Sequence, residues 1–418
     1  MFHNILKETM VPPHAETITP QRNYINQEDF ERRVQNGQIL IIYNNKVYKL
    51  NKWIKYHPGG ELAIRHMVGK DATDEINVFH PEYVFKKKIN TFYIGEYEEN
   101  TKLKEEKISE QKLISQTYRR YYLKLHELGL YECNYWNYFY ESIRYTFLII
   151  SVWMLAIYGT QIWQYFLSAF CLGLFWHQLA FTAHDSGHSG ITHNLLVDNL
   201  IGIFIADFMG GLSIGWWKRN HYVHHIVTND PEHDPDIQHL PFFAVTTKFF
   251  NNLYSSFYRK TLYFDMAARF FIKFQHYLYY PVLCFGRFNL YVLSVNFILN
   301  EENVAFRRLE ISDCGPLESF PKKMLRTTMD VDCPWWMDWF HGGLQFQAVH
   351  HLFPRVPRHN LRNCQHLVSE FCKEVGLEYH LYGFIKGNGI VLGALRDVAN
   401  QAELLSNVVK SHNDKHLR

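Results

Sequence analysis

The stretch that decides the fold is IWQYFLSAFCLGLFWHQLAFTAHDSGH, residues 162–188. Residues 162–183 are predominantly apolar, and the run is long enough to cross a bilayer as a helix, which takes about 20 residues. It ends directly in His184-Asp185-Ser186-Gly187-His188, so two imidazoles follow the apolar run. The sequence therefore predicts a membrane helix that presents metal-binding side chains at one end.

Three further segments approach the length of a membrane span: 143–158, 195–217 and 277–299. Only the first is as cleanly apolar as 162–183. Segment 195–217 contains carboxylates and 277–299 contains a proline and an arginine, which are costly in hydrocarbon unless they face protein or water. We therefore expect an all-α integral membrane domain in which 195–217 is re-entrant or interfacial.

Two more histidine clusters follow the first: HYVHH at 221–225 and QAVHH at 347–351. Residues i, i+3 and i+4 share one face of a helix, so each cluster aims its imidazoles in one direction. Seven imidazoles are too many for one ion and suit two, while imidazole alone leaves iron, copper, zinc and nickel open. Gln347 stands where a further histidine is expected and could act through its amide oxygen or a water. The candidate metal ligands are His184, His188, His221, His224, His225, His350 and His351.

Several neighbours of these clusters are candidates for supporting roles. Carboxylates can hold imidazole ligands in one tautomer from behind. His341 and His233 are candidates either for extra ligands or for mere neighbours. The carboxylates in question are Asp185, Asp230, Asp234 and Asp236.

The N-terminal part has a different character. Residues 23–97 alternate short strand-like runs with polar helical stretches, as expected of a small α+β module. It contains His57-Pro58-Gly59-Gly60, a sharp turn without side-chain bulk that would let a flat macrocycle approach beside an imidazole. The same residues could also form a simple turn.

The surroundings of this turn resemble the cytochrome b5 family. The resemblance rests on WIKY at 53–56, on GKDAT at 69–73 and on FHP at 79–81. It implies that His57 and His80 are the two axial ligands of haem b, which then has no open position for O₂ and carries electrons. His66 competes with His80, but on a polar helix it is expected to be a solvated surface residue.

The flanks of the three clusters, 180–194, 215–241 and 340–361, resemble front-end desaturases with a fused cytochrome b5, in which a third-cluster glutamine accompanies the fusion. They are most similar to fungal-type Δ8 sphingolipid desaturases. The resemblance implies a di-iron centre that uses O₂ to remove two hydrogens from a methylene pair of a ceramide or acyl lipid. Electrons would come from NADH through a separate reductase and the haem.

Other functions fit parts of this pattern. A front-end Δ6 or Δ5 acyl-lipid desaturase and a lipid hydroxylase would share the iron site and the donor. A membrane zinc hydrolase could use the histidines but has no use for a haem. An inactive, membrane-anchored electron carrier would keep the haem alone.

The expected organisation is a polar tail (1–22), a haem domain (23–97), a linker (98–135) that is solvated over 97–111, a membrane desaturase domain (136–363) and a cytosolic tail (364–418).

Three features favour a multi-pass endoplasmic reticulum protein with its catalytic parts in the cytosol. They are the Lys and Arg residues before the first span, the cysteines without paired spacing and the lack of a secretory signal. The 43 basic and 41 acidic residues give no reason to expect a nucleic-acid partner.

The segment between the second and third clusters departs from this pattern. Clusters that share one metal site must lie on one side of the membrane, so an even number of crossings should separate them. Only 277–299 is long and apolar there, and 300–332 is polar and short. We therefore expect either a re-entrant hairpin, bent near Pro281 and Gly286, or a truncated or incompletely read chain whose transcript adds apolar sequence across codons 295–330.

Overall fold

The computed structural model describes residues 23–83, 88–98, 105–300 and 318–416. The expected N-terminal tail lies outside the described residues. So does most of the polar segment between the second and third clusters, 301–317.

The described residues of the N-terminal module form a four-stranded sheet with short helices packed around it. The sheet order is β1 (Tyr24–Asn26), β4 (Tyr93–Glu98), β3 (Lys46–Lys49) and β2 (Leu40–Tyr43), with β1 parallel to β4 and the other pairs antiparallel. Asn44 and Asn45 have φ values of 49° and 58°, the left-handed conformations that a tight turn between β2 and β3 needs. The expected α+β module is confirmed. Its elements are β1 (Tyr24–Asn26), α1 (Gln27–Gln35), β2 (Leu40–Tyr43), β3 (Lys46–Lys49), α2 (Glu61–Arg65), α3 (Thr73–Phe79) and β4 (Tyr93–Glu98), with 3₁₀ turns at Ile54–Tyr56 and Ile89–Phe92.

The rest of the described chain is mainly helical. Two small two-stranded sheets, β5–β6 and β7–β8, interrupt the helices. The elements are α4 (Glu105–Glu127), α5 (Tyr135–Tyr158), α6 (Ile162–Gly187), α7 (Leu195–Gly202) with a π-helical continuation (Ile203–Met209), α8 (Ile214–Ile226), β5 (Leu253–Ser255), β6 (Lys260–Leu262), α9 (Met266–Ile272), α10 (Gln275–Leu283), α11 (Gly286–Asn300), α12 (Phe320–Thr327), β7 (Asp330–Asp332), α13 (Asp338–His341), α14 (Gln347–Leu352), α15 (Leu361–Val375), β8 (Leu381–Gly383) and α16 (Phe384–His416).

Two described helices, α5 and α6, are long and apolar enough to cross a membrane. They pack against each other and leave large apolar side chains such as Phe147 and Phe166 outside, as lipid contact requires. The segment from α7 through α8 is bent by 114°, and that from α10 through α11 by 68°. The number of spans is therefore up to four if each bent pair is one span. These bends match the expectation that 195–217 is not a straight span.

The predicted linker and C-terminal tail need correction. In α4, Ile114, Tyr118 and Leu125 are buried in the same core as the third histidine cluster. Their helical spacing was obscured by the Glu- and Lys-rich residues just before them. The boundary predicted at 363 cuts through α15, which belongs to that core, and α16 packs on α9 and α10. The packed domain therefore begins before residue 136 and continues beyond residue 363.

The expectation for His66 was also wrong. His66 is only 4% exposed, and its ring centroid lies 5.0 Å from that of His233. The helix that ends at His66 buries Leu62 against Val223 and Val227 of the membrane domain, so His66 lies between the two domains and not at a solvated surface.

Candidate metal centre and haem site

The three histidine clusters converge at the ends of helices from distant parts of the chain. His184 lies in the last turn of α6 and His188 caps it, while α8 carries the second cluster and α14 the third. The ring centroid of His350 lies 4.5 Å from that of His184 and 4.8 Å from that of His188. The potential ligand atoms of His184, His188, His221 and His350 all lie within 4.8 Å of one another.

The other three predicted ligands continue this group. The ring of His351 lies 4.2 Å from that of His225 and 5.0 Å from that of His224. His225 connects these three histidines to the four described above. Its ring centroid is 4.9 Å from that of His350, and its Nε2 is 3.1 Å from Nε2 of His221. The structure therefore brings all seven predicted imidazoles into one cluster.

Ring nitrogens in this cluster are buried without hydrogen-bond partners. They include both nitrogens of His188, Nδ1 of His184 and His225, and Nε2 of His350. Each such group costs about 1–3 kcal/mol when it is left unpaired away from water. A bound cation would satisfy them, so the cluster fits a metal centre.

The protonation state of the third cluster also suits metal binding. Burial lowers the pKa of His350, and the neighbouring His184 acts in the same direction. Burial likewise lowers the pKa of His351, together with His224. Both imidazoles are therefore neutral near pH 7, which is the form that binds metals.

Of the predicted supporting carboxylates, Asp234 has the clearest role. It is fully buried, and its Oδ2 accepts a hydrogen bond from Nδ1 of His224 at 2.9 Å. That contact leaves Nε2 of His224 as the ligand atom. Asp236 lies further away, 3.8 Å from Nδ1 of His221 and 3.7 Å from Nδ1 of His224.

Asp185 and Asp230 accept hydrogen bonds from groups other than the clustered imidazoles. Asp185 lies 3.9 Å from Nδ1 of His184, beyond hydrogen-bond reach, and instead accepts hydrogen bonds from Tyr138 and Arg358. Asp230 accepts from backbone amides of its own turn. Neither therefore sets an imidazole tautomer.

The lower-ranked candidates occupy different positions. Gln347 begins α14, on the face of His350 and His351, and its Nε2 donates to the carbonyl of Leu344 at 2.6 Å, so its Oε1 is the atom suited to a water or an ion. The other two, His341 and His233, make no hydrogen bond or ring contact with the seven histidines in the described parts of the chain.

His341 and His233 are engaged elsewhere. Nε2 of His341 lies 3.5 Å from Sγ of Cys333, and His341 lines a cavity of about 270 Å³ with His177 and Phe181. Nδ1 of His233 lies 2.8 Å from Oγ of Ser256. Neither residue therefore belongs to the group of seven clustered histidines.

Sequence reasoning missed a buried ion network beside the cluster. Arg358 is 3% exposed and forms ion pairs with Glu141 of α5 and with Asp185 of the first cluster, the latter at 3.3 Å. Two positively charged residues in the short run 355–358 are an unusual feature of an otherwise apolar stretch. Their partners, however, lie far away in sequence, so the pattern alone does not reveal them.

The haem ligands predicted from the sequence face each other. The ring centroids of His57 and His80 are 5.9 Å apart, which is close to the separation of two imidazoles bound on opposite sides of one metal ion at about 2 Å each. Nδ1 of His57 is 3.0 Å from the carbonyl of Gly60, and Nδ1 of His80 is 3.0 Å from that of Ile76. Both contacts make Nε2 the unprotonated, ligating nitrogen.

Two further features fit a haem. A Cβ at Gly59 would lie 3.0 Å from Cε1 of His57, so only glycine leaves this imidazole unobstructed. Burial lowers the pKa of His57, and burial together with His57 lowers the pKa of His80 to about 4.

A two-imidazole haem carries single electrons. Such a carrier, joined to a buried polyhistidine metal site at the end of membrane helices, defines a membrane-bound oxidoreductase.

Comparison with known families agrees with this class of membrane-bound oxidoreductase. Residues 26–98 match the family described as Cytochrome b5-like Heme/Steroid binding domain, and residues 160–288 and 266–383 match the family described as Fatty acid desaturase. The chain belongs to the cytochrome b5-fused membrane fatty acid desaturases.

Individual relatives cover nearly the whole chain. A Delta 8-(E)-sphingolipid desaturase of Emericella nidulans is 37% identical over 95% of this chain and 97% of its own, and one of Komagataella phaffii is 39% identical over 93% and 95%. An Acyl-lipid (9-3)-desaturase of Borago officinalis is 33% identical over 91% and 94%. The alignment with the Emericella protein runs over 541 positions, more than the 418 residues of this chain, so that relative has sequence without a counterpart here.

Proposed function

We propose that this chain is an O₂-dependent desaturase that introduces the Δ8 double bond into the long-chain base of a sphingolipid. The convergence of seven imidazoles, four of them buried, beside a bis-histidine haem site carries the proposal. The choice of substrate rests on the fungal relatives, whose names specify Δ8 sphingolipid desaturation. A front-end acyl-lipid desaturase is the second candidate, favoured by the similarity to the Borago protein.

The reaction balances with one external electron pair. A –CH₂–CH₂– unit, O₂, two electrons and two protons yield –CH=CH– and two water molecules. The lipid supplies the other two of the four electrons that O₂ takes up. The external pair would come from NADH through a separate reductase and then, one electron at a time, through haem b between His57 and His80.

The seven clustered imidazoles would hold two iron ions, which supply O₂ activation when bound. The chain's own side chains prepare that site. Asp234 holds His224 with Nε2 toward the cluster, and Gln347 offers an amide oxygen to an ion or to its water. His225, His350 and His351 are at most 3% exposed, so the protein keeps bulk water away from the reacting carbon atoms.

The cavity beside His177 is suited to part of the lipid. His177, Phe181 and His184 follow one another at helical spacing on α6, so the cavity lies on the same helix face as the metal cluster. Phe340 and Phe384 add apolar walls, and Gln345 supplies a polar group. A chain in this cavity would lie along α6 toward His184.

The α5–α6 hairpin supports a membrane arrangement for the proposed enzyme. Two antiparallel spans joined by residues 159–161 begin and end on one side of the bilayer. The haem domain precedes α5, and His184 ends α6, so both lie on that side. The basic residues before α5 support the cytosolic side, with the endoplasmic reticulum as the membrane.

Lipid mass spectrometry of a host that lacks Δ8 unsaturation tests this proposal. Expression of the chain should yield ceramides with a double bond located at Δ8 of the long-chain base. Replacing His224 or His351 by Ala should abolish that product while the haem spectrum stays intact. A new double bond in phospholipid acyl chains would favour the acyl-lipid candidate, a hydroxylated product would favour a hydroxylase, and unchanged lipids would contradict the proposal.

A further inference from the structure

The haem domain is held against the membrane domain through α3, the helix that ends at His80. Nε of Arg355, just beyond the third cluster, donates to the carbonyl of Val78 at 3.0 Å. Tyr122 donates from its hydroxyl to the carbonyl of Asn77 at 3.3 Å, and Arg119 pairs with Asp74. Carbonyls in the last turn of a helix have no partner within the helix, so these contacts satisfy them from the other domain. The three contacts form a clamp on α3.

The other haem-ligand segment, the loop after His57, rests on α8 of the membrane domain. A Cβ at Gly59 would lie 3.4 Å from Cδ2 of Tyr222, so the loop after His57 lies directly on α8. Leu62 packs with Val223 and Val227 in a small buried cluster. The ring centroid of Phe79, at the end of α3, also lies 6.3 Å from that of Tyr222, so both ligand-bearing segments contact α8, which carries the second histidine cluster.

Phe79 lies between the two redox sites. It directly precedes His80 in the chain, and its ring centroid is 5.8 Å from that of His225 and 6.3 Å from that of Tyr222. Phe320 lies on another side at 6.3 Å. The ring thus fills the space between a haem-ligand candidate and a metal-ligand candidate with packed atoms. Electronic coupling falls steeply with distance, and more steeply across empty space than through packed atoms.

We propose that Phe79 couples the haem to the metal centre, and that the clamp of Arg355, Tyr122 and Arg119 fixes the haem domain in the electron-delivering position. This inference rests on the proposed function. In each transfer the ferrous haem is oxidised to ferric and the metal centre gains one electron, and two transfers serve each O₂. Phe79 gains and loses no electron, because it acts as a positioning residue that keeps the path short and packed.

The first test separates electron entry from electron exit at the haem. The purified full-length variants Phe79→Leu and Phe79→Ala are reduced with NADH and a cytochrome b5 reductase, then mixed with O₂ and lipid substrate while haem absorbance is followed. Haem reduction should proceed at the wild-type rate, whereas substrate-dependent reoxidation should slow by about tenfold or more. Phe79→Trp should restore much of the rate.

A matched control lies in the same domain. Phe92 packs on Trp53 with ring centroids 5.9 Å apart, and Phe92→Leu should leave both haem rates unchanged. Reoxidation of Phe79→Leu at the wild-type rate would overturn the coupling role. If the wild-type chain itself forms no double bond, the proposed function fails instead, so the two failures are distinguishable.

The second test measures the clamp without any turnover. Hydrogen exchange of the amides of residues 73–80 in the purified full-length protein should accelerate in Arg355→Gln and Tyr122→Phe, and remain at the wild-type rate in Phe92→Leu. Arg355→Gln and Tyr122→Phe should also slow haem reoxidation, whereas Phe92→Leu should not. Unchanged exchange in the Arg355→Gln, Tyr122→Phe double variant would overturn the clamp.

Discussion

The ring centroids of His184 and His350 lie 4.5 Å apart, although one residue ends a membrane helix and the other lies in a short helix near the opposite end of the chain. The first and third clusters therefore adjoin each other, as a shared metal site requires. The buried Arg358 network supports this contact, because Asp185 lies beside His184 and Arg358 follows the third cluster.

The haem assignment predicts that haem binding depends on His80 and not on His66 in the N-terminal domain. His80→Ala should remove the haem absorbance, since the remaining imidazole of His57 cannot complete a two-histidine site. His66→Gln should keep it, because the ring of His66 faces His233 rather than His57. Absorbance spectra of the two purified variants decide this. A normal spectrum for His80→Ala would contradict the assignment.

The hydrogen bond from His224 to Asp234 predicts an effect on metal affinity. In Asp234→Asn the amide no longer offers two acceptor oxygens to Nδ1 of His224 and to the surrounding amides, so metal affinity should fall by about 10–100-fold. Iron retained after dialysis against a chelator measures the loss. Asp230→Asn is the control, since Asp230 accepts only from backbone amides in the contacts described. Equal iron retention by Asp234→Asn and Asp230→Asn would show that Asp234 does not support metal binding by His224.

The sequence was sufficient to predict the α+β haem module, the apolar spans and the seven histidines, because each has a local pattern. It could not predict packing between distant segments. The buried residues of α4 and α15 were assigned to a linker and a tail, because charged and polar residues separate the apolar positions that enter the core in both helices. The ion pairs of Arg358 could not be predicted either, because Glu141 and Asp185 are distant from Arg358 in the sequence.

Removing the Arg358 guanidinium should destabilise the whole membrane domain. Arg358→Met leaves the carboxylates of Glu141 and Asp185 buried without their cation, a change that costs about 3–5 kcal/mol. Arg326→Met should have little effect, because Arg326 is largely exposed and pairs with Glu318 at the surface. Thermal unfolding in detergent compares the two, and similar melting temperatures would contradict the predicted role of the network.

Asp330 predicts a pH dependence of stability. Burial raises the pKa of Asp330 to about 7 from its ordinary value of 3.8, although it accepts hydrogen bonds from Tyr379 and from the backbone amide of Ala348. The folded state therefore holds the proton more tightly than the unfolded state. The contribution of Asp330 to stability is fully present below about pH 4 and is lost as the pH rises through about 7, by at most about 4 kcal/mol.

The variant Asp330→Asn cannot ionise and should not show that loss. Its melting temperature relative to wild type should accordingly rise between pH 5 and pH 8, as measured by thermal unfolding at each pH. A constant difference across this range would show that Asp330 does not titrate there.

The metal content of the purified protein tests the central claim most directly. We expect two non-haem irons and one haem per wild-type chain, and we expect His350→Ala to lose the non-haem iron while it keeps the haem. Stoichiometric zinc without iron in the wild-type protein, or unchanged iron in His350→Ala, would contradict the account.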